Sequence, residues 1–264
     1  MKLSPEKFQA LRIIERKDYA SDLWSIRAKS QQKLVFKPGQ YATLGVPAGD
    51  TLIQRAYSIV SSPNEDELEF FIELVPHGEL TPKLYALHPG DTIWMRRQAK
   101  GLFTFDERSG WQKHLLLCTV TGVAPYVSMI RTFAKAETEG KPVPYKLTVI
   151  QAASRSWEFA YRDELETFAR SVNWLRYVPT VSRPWEDSSW TGEVGRVEDI
   201  LRKYTDTLSL EPRETTAYLC GHPQMIENCK GLLARRGYPK ESVREEIYWI
   251  PAKTNLVEAA ATRP

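Results

Sequence analysis

The sequence predicts a two-domain β plus α/β protein, with an antiparallel β-barrel or sandwich followed by a parallel-sheet α/β domain. Three observations predict this. Up to about residue 98, short apolar–polar alternations are separated by clusters of turn-forming residues. From residue 114 onward the rhythm becomes strand, loop, helix. The length of 264 residues suits two modest domains. The expected boundaries are a first domain over 1–100, a linker over 101–113, a second domain over 114–249 and an extension over 250–264.

In the first part, the run from Asp22 to Arg27 alternates apolar and polar residues, and Leu68 to Val75 reads as a longer, more buried strand. Turn signals lie between such runs at Lys37-Pro38-Gly39-Gln40, Pro47-Ala48-Gly49-Asp50, Ser62-Pro63-Asn64-Glu65 and His88-Pro89-Gly90-Asp91. A short helix is expected over about 81–87, with Thr81 as N-cap and Pro82 at the first helical position. In the second part, strands are expected over 114–120, 146–151, 175–181 and 216–220. Helices are expected over 125–139, about 159–170, from Val197 to Lys203 and beyond, and over about 223–236. Strands alternating with helices imply a parallel sheet covered on both faces, which binds ligands at the carboxyl ends of its strands.

Composition excludes several classes. The chain is 42% apolar and 26% charged, with a formal net charge of +3, so bulk charge gives no footing for nucleic acid. The three cysteines, Cys118, Cys220 and Cys229, form neither a paired framework nor a C-x-x-C spacing, so no metal or iron–sulfur site is expected. Cys118 in an apolar strand and Cys229 in mid-helix read as packing residues. No apolar signal core or membrane-length run is present, and a soluble, cytoplasmic monomer is expected.

Four strings and a closing segment carry chemistry. In Arg55-Ala56-Tyr57-Ser58, a guanidinium suits a pyrophosphate, a phenol ring can lie on a flat cofactor and a hydroxyl can donate to a ring nitrogen. The plainer reading is a strand with one exposed Arg and a half-buried Tyr. Val75-Pro76-His77-Gly78-Glu79-Leu80-Thr81-Pro82 pairs a glycine with the start of a helix, which suits an anion and equally suits an ordinary turn. Thr121-Gly122-Val123-Ala124-Pro125 follows a buried strand and opens a helix, as a phosphate-binding turn requires. The G-x-G-x-x-G fingerprint is absent, which argues against an ordinary Rossmann dehydrogenase. Cys220-Gly221-His222-Pro223 also joins strand to helix. Arg155, Arg183 and Arg196 each lie just past a strand or just ahead of a helix, where an arginine can meet a ribose 2′-phosphate.

Taken in order and at these separations, the strings resemble the ferredoxin–NADP⁺ reductase family over roughly residues 10–249. The resemblance implies an FAD-binding antiparallel β-barrel, then an NADP-binding α/β domain. Arg55, Ala56, Tyr57, Ser58, Val75, Gly78 and Thr81 would hold FAD. Thr121, Gly122, Arg155, Ser182, Arg183, Arg196, Cys220 and Gly221 would hold NADP(H). Val120 stands where the family's Gly-Thr-Gly form has its first glycine. Cys220 would lie beside the nicotinamide. Glu246 would relay a proton through Ser58, with Glu245 as the structural alternative. Trp249 would cover the flavin, with Tyr248 as runner-up, and the tail would fold back near the flavin's adenine end. The implied activity is electron exchange between NADP(H) and a one-electron carrier, ferredoxin or flavodoxin. A flavin reductase, a separate oxygenase reductase component and a non-enzymatic redox sensor are the alternatives.

Overall fold

The computed structural model describes residues 4–248, so Trp249 and the 250–264 extension lie outside the described residues. The first sheet contains β1 (Phe8–Ala20), β2 (Leu23–Ser30), β3 (Tyr41–Ala48), β4 (Thr51–Ser58), β5 (Leu68–Glu73) and β6 (Thr92–Arg96), in the order β4-β3-β6-β1-β2-β5. All its pairings are antiparallel. The two edge strands meet past the end of β4, where Ile59 bridges Phe70 and the Val60 amide donates to Glu69 O at 2.9 Å, closing the barrel. Its interior holds Leu11, Ile13, Trp24, Ile26, Phe70 and Ile72, contributed by alternating positions of three strands.

The second sheet contains β7 (Lys113–Thr119), β8 (Lys146–Ala153), β9 (Leu175–Val181), β10 (Glu193–Val194), β11 (Thr215–Gly221) and β12 (Val243–Ile247). Its order is β10-β9-β8-β7-β11-β12 and every pairing is parallel. Period-2 alternation is visible in its central strands. Leu115, Leu117, Ala217 and Leu219 pack into one helical layer, while Leu116, Cys118, Tyr218 and Cys220 pack into the other. Strands buried on both faces need apolar residues at every position, which explains the unbroken Leu115-Leu116-Leu117-Cys118 run. The helices are α1 (Thr81–Tyr85), α2 (Ala124–Thr138), α3 (Arg162–Ser171), α4 (Val197–Thr207) and α5 (Pro223–Arg235).

Two local expectations are corrected. Leu80, not Thr81, is the N-cap of α1. The Thr81 hydroxyl turns back to Val75 instead, accepting from its amide at 2.9 Å and donating to its carbonyl at 3.1 Å. Helix α3 begins at Arg162 because a 3₁₀ turn, Ser156–Glu158, intervenes after β8.

The two sheets share a packed boundary. Leu23, Val60 and Phe71 of the barrel side lie in one cluster with Val127 of α2 and Tyr161. Ser128 Oγ donates to Ser61 O at 2.7 Å. Arg131 of α2 pairs with Glu69 of the barrel at 2.7 Å and with Glu164 of α3 at 2.6 Å. Tyr161 donates to the same Glu69 at 2.8 Å. Glu69 is 6% exposed, so these partners offset the cost of burying its side chain.

Candidate functional site

The end of β4 and the end of β12 converge on one polar contact. Ser58 Oγ donates to Glu246 Oε2 at 3.0 Å across the boundary between the two sheets. Alternation along β12 turns Glu245 the other way, onto Lys230 at 2.8 Å. Burial pushes the Glu246 carboxyl up to about 7, and the Ser58 hydrogen bond only partly offsets this. Cys220 lies opposite Glu246 in the parallel register of β11 and β12. Its thiol is fully buried, and burial holds its pKa well above the ordinary range, so it stays a neutral thiol. Tyr248 follows on the same strand exit, where its hydroxyl donates to Thr121 O at 3.3 Å.

The turn after β7 is built on an unusual backbone. Val120 has φ of 40°, a left-handed conformation that β-branched residues rarely adopt. It occupies the position noted above where a glycine was expected. Two side chains hold it: buried Gln151 donates from Nε2 to Val120 O at 3.3 Å, and half-buried Tyr177 donates its hydroxyl to Gln151 Oε1 at 2.7 Å. Residues Val120–Val123 form a 3₁₀ turn leading into α2. A Cβ at Gly122 would fall 2.3 Å from Cys220 O, and one at Gly221, at φ of 124°, would fall 2.3 Å from Thr119 Oγ1. These two glycines therefore let the ends of β7 and β11 close on each other. The His222 amide completes the contact by donating to Thr119 Oγ1 at 2.9 Å. Sequence patterns gave no signal for Gln151 and Tyr177 as supports of this turn, because both act through tertiary contacts.

Along the outer edge strand β4, Arg55 and Ala56 are exposed and Tyr57 is half-buried. Burial raises the Tyr57 phenol, which stays neutral. Arg55 Nη2 donates to Glu79 at 2.7 Å, tying β4 to the Val75–Thr81 segment. Gly78 sits in that segment, where a Cβ would come within 3.1 Å of Val75 O.

Past β8 and β9 two loops are stitched together. The Arg183 amide donates to Ser154 O at 3.0 Å, and Ser182 Oγ donates to Ala153 O at 3.3 Å. The Arg155 guanidinium pairs with Glu158 at 3.1 Å and with Glu186, which also faces Arg183 at 3.6 Å. The Gly195 amide donates to Val181 O at 3.0 Å, which brings Arg196, exposed at the start of α4, beside the end of β9. Tyr161, just ahead of α3, is buried at the domain boundary.

Comparison with known proteins bears directly on this arrangement. Residues 11–104 match the model of the oxidoreductase FAD-binding domain, and residues 116–231 match that of the oxidoreductase NAD-binding domain. The flavodoxin/ferredoxin–NADP reductase of Escherichia coli (strain K12) is 33% identical over 201 residues, covering 74% of this chain and 77% of the relative. The chain belongs to the ferredoxin–NADP reductase family. The ferredoxin–NADP reductase of Azotobacter vinelandii is 32% identical, covering 84% of this chain and 87% of the relative. A crystal structure of a ferredoxin NADP⁺ reductase from Neisseria gonorrhoeae with bound FAD and NADP superposes with a TM-score of 0.81. It is 25% identical and covers 92% of this chain and 99% of that one.

This reductase is an oxidoreductase with FAD- and NAD(P)-binding domains. Its residues fit both groups. For FAD, the open edge of β4 presents a guanidinium, a half-buried phenol and the Ser58 hydroxyl in one short run. In the 75–81 segment the Thr81 hydroxyl and the Val75 and Gly78 amides are committed to one another's partners within the turn. For the nicotinamide nucleotide, two arginines on adjacent loops offer forks suited to a phosphate. Among the described residues no helix is long and apolar enough to cross a membrane, and no cluster could hold a metal ion.

Proposed function

We propose that this reductase exchanges electrons between NADP(H) and a one-electron carrier protein, ferredoxin or flavodoxin, with Ser58, Glu246 and Cys220 at the centre. The observation that carries this reading is the 3.0 Å Ser58–Glu246 hydrogen bond, which joins the FAD-domain edge to the last strand of the NAD(P) domain beside Cys220. Bound FAD would supply the trade between electron pairs and single electrons. Residues 1–100 and 114–249 are taken as the two binding units, joined by 101–113. Arg55, Ala56, Tyr57, Ser58, Val75, Gly78 and Thr81 are assigned to FAD, and Thr121, Gly122, Arg155, Ser182, Arg183, Arg196, Cys220 and Gly221 to NADP(H).

The chain's own groups have distinct tasks. A carboxyl near 7 in pKa is about half protonated at neutral pH, so Glu246 stores a proton that Ser58 Oγ can relay. The thiol of Cys220 stays protonated and excludes water without acting as a nucleophile. Gly122 and Gly221 bring the strand ends together, so the inner wall is rigid. The test is steady-state turnover with NADPH or NADH as donor and purified ferredoxin, purified flavodoxin or a dye as acceptor. Faster turnover with NADPH and with a carrier protein supports the reading. Turnover of free flavin alone would favour the flavin-reductase alternative, and no turnover would favour a sensor.

A further inference from the structure

We propose that Glu186 sets the preference of this reductase between NADPH and NADH, because its carboxylate occupies the position between two arginines that a ribose 2′-phosphate would claim. The proposal rests on the reading of Arg155 and Arg183 as nucleotide arms. These arms come from different loops, past β8 and past β9, and one carboxylate bridges them. Glu186 Oε2 pairs with Arg155 and Oε1 faces Arg183 at 3.6 Å.

The bridge is built into the fold. Glu186 ends the 3₁₀ turn Pro184–Glu186, and its amide donates to Arg183 O at 3.0 Å. The next residue, Asp187, is 5% exposed and accepts from the Ser156 amide at 2.9 Å, pinning the turn to the loop that carries Arg155. Glu158 plays a different part. Its side chain is only 14% exposed, and it accepts from the Ser154 amide at 2.8 Å as well as pairing with Arg155, so it buttresses the loop. The Glu186 side chain is 34% exposed and, among the described residues, pairs with the two arginines, so it can swing away.

The consequence is a charge competition. A carboxylate and a phosphate monoester both accept from guanidinium forks. A 2′-phosphate carries nearly two negative charges and cannot share the two arginines with a third, so NADPH must expel Glu186. NADH brings no such group and finds the arginines already neutralised. Glu186 therefore penalises NADPH and spares NADH, which is discrimination by a repulsive element. Arg155 and Arg183 alone would favour NADPH more strongly than the intact site does.

Calorimetric titration of the FAD-loaded protein with 2′,5′-ADP and with 5′-AMP tests this. Glu186→Gln should tighten 2′,5′-ADP by about three- to tenfold, the worth of one or two exposed ion pairs, and leave 5′-AMP within about twofold. Unchanged or weaker 2′,5′-ADP binding, or equal tightening of 5′-AMP, overturns the proposal. Arg155→Ala and Arg183→Ala separate this from the reading beneath it. If they abolish the preference for 2′,5′-ADP while Glu186→Gln does nothing, the competition fails and the arms stand. If they leave 2′,5′-ADP binding unchanged, the arms themselves are refuted and the proposal falls with them.

Discussion

Ser58 and Glu246 stand 188 residues apart in sequence and 3.0 Å apart in space, one at the end of the edge strand of the barrel and the other on the last strand of the parallel sheet. A carboxyl raised by burial titrates near neutral pH, and its protonated form is the one the fold favours. The folded-state value of about 7 exceeds the ordinary 4.5, so this contribution is complete below about pH 4.5 and is lost as pH rises through about 7. Glu246→Gln should therefore be more stable than the parent at pH 8, with the difference vanishing at pH 4. Urea denaturation at the two pH values checks the sign. A variant less stable at pH 8 than the parent would show that the carboxylate is not the disfavoured form.

The positive φ of Val120 gives a reversal of the usual glycine penalty. In ordinary helices and strands, Gly is roughly 0.5–1 kcal/mol worse than Ala. At φ of 40° an alanine keeps the backbone strain and loses the valine methyls, whereas a glycine relieves strain of order 1–2 kcal/mol. Val120→Gly should be more stable than Val120→Ala, measured by chemical denaturation of both. Alanine ranking first would mean that the turn is unstrained.

In the proposed site, Tyr248 is tied by its hydroxyl to Thr121 O, on the turn next to Cys220. A nicotinamide reaching Cys220 has to displace it. Tyr248→Phe removes the hydroxyl and should lower the dissociation constant for NADPH by roughly two- to tenfold, about one net hydrogen bond. Fluorescence titration measures this directly, and unchanged affinity would place the nucleotide's route elsewhere.

Arg131 holds the two domains through a carboxylate that is nearly inaccessible. Among the described residues, Arg131→Met leaves Glu69 with the Tyr161 hydroxyl as its side-chain partner and should cost about 3–5 kcal/mol. Adding Glu69→Gln should recover part of that loss, because it removes the stranded charge. Thermal unfolding of the single and double variants tests the pair, and equal stability of the two would show that the charge is not the cause.

Local pattern carried much of the architecture. The Leu115–Cys118 run, the turn clusters of the barrel and the strand-to-helix turns at Gly122 and Gly221 are all written in consecutive residues. What pattern missed depends on distant partners. Thr81 before Pro82 has the look of an N-cap, yet the backbone of Val75 competes for its hydroxyl and wins. The left-handed Val120 is legible only as a valine in a glycine's place, and its supports Gln151 and Tyr177 come from neighbouring strands. Glu186 lies three residues beyond Arg183, but its bridge to Arg155 spans two loops. Nothing local to Ser58 or Glu246 points to the other; the family resemblance implied only a relay from Glu246 through Ser58.

The rate at which NADPH bleaches the flavin absorbance, followed by anaerobic stopped flow from pH 6 to pH 8, tests the central claim most directly. The parent should show a rate that changes with an apparent pKa near 7, the value set by the burial of Glu246. Ser58→Ala combined with Glu246→Gln should be at least about 100-fold slower and should lose that titration. Bleaching at the parental rate with the same pH profile in the double variant would contradict the account.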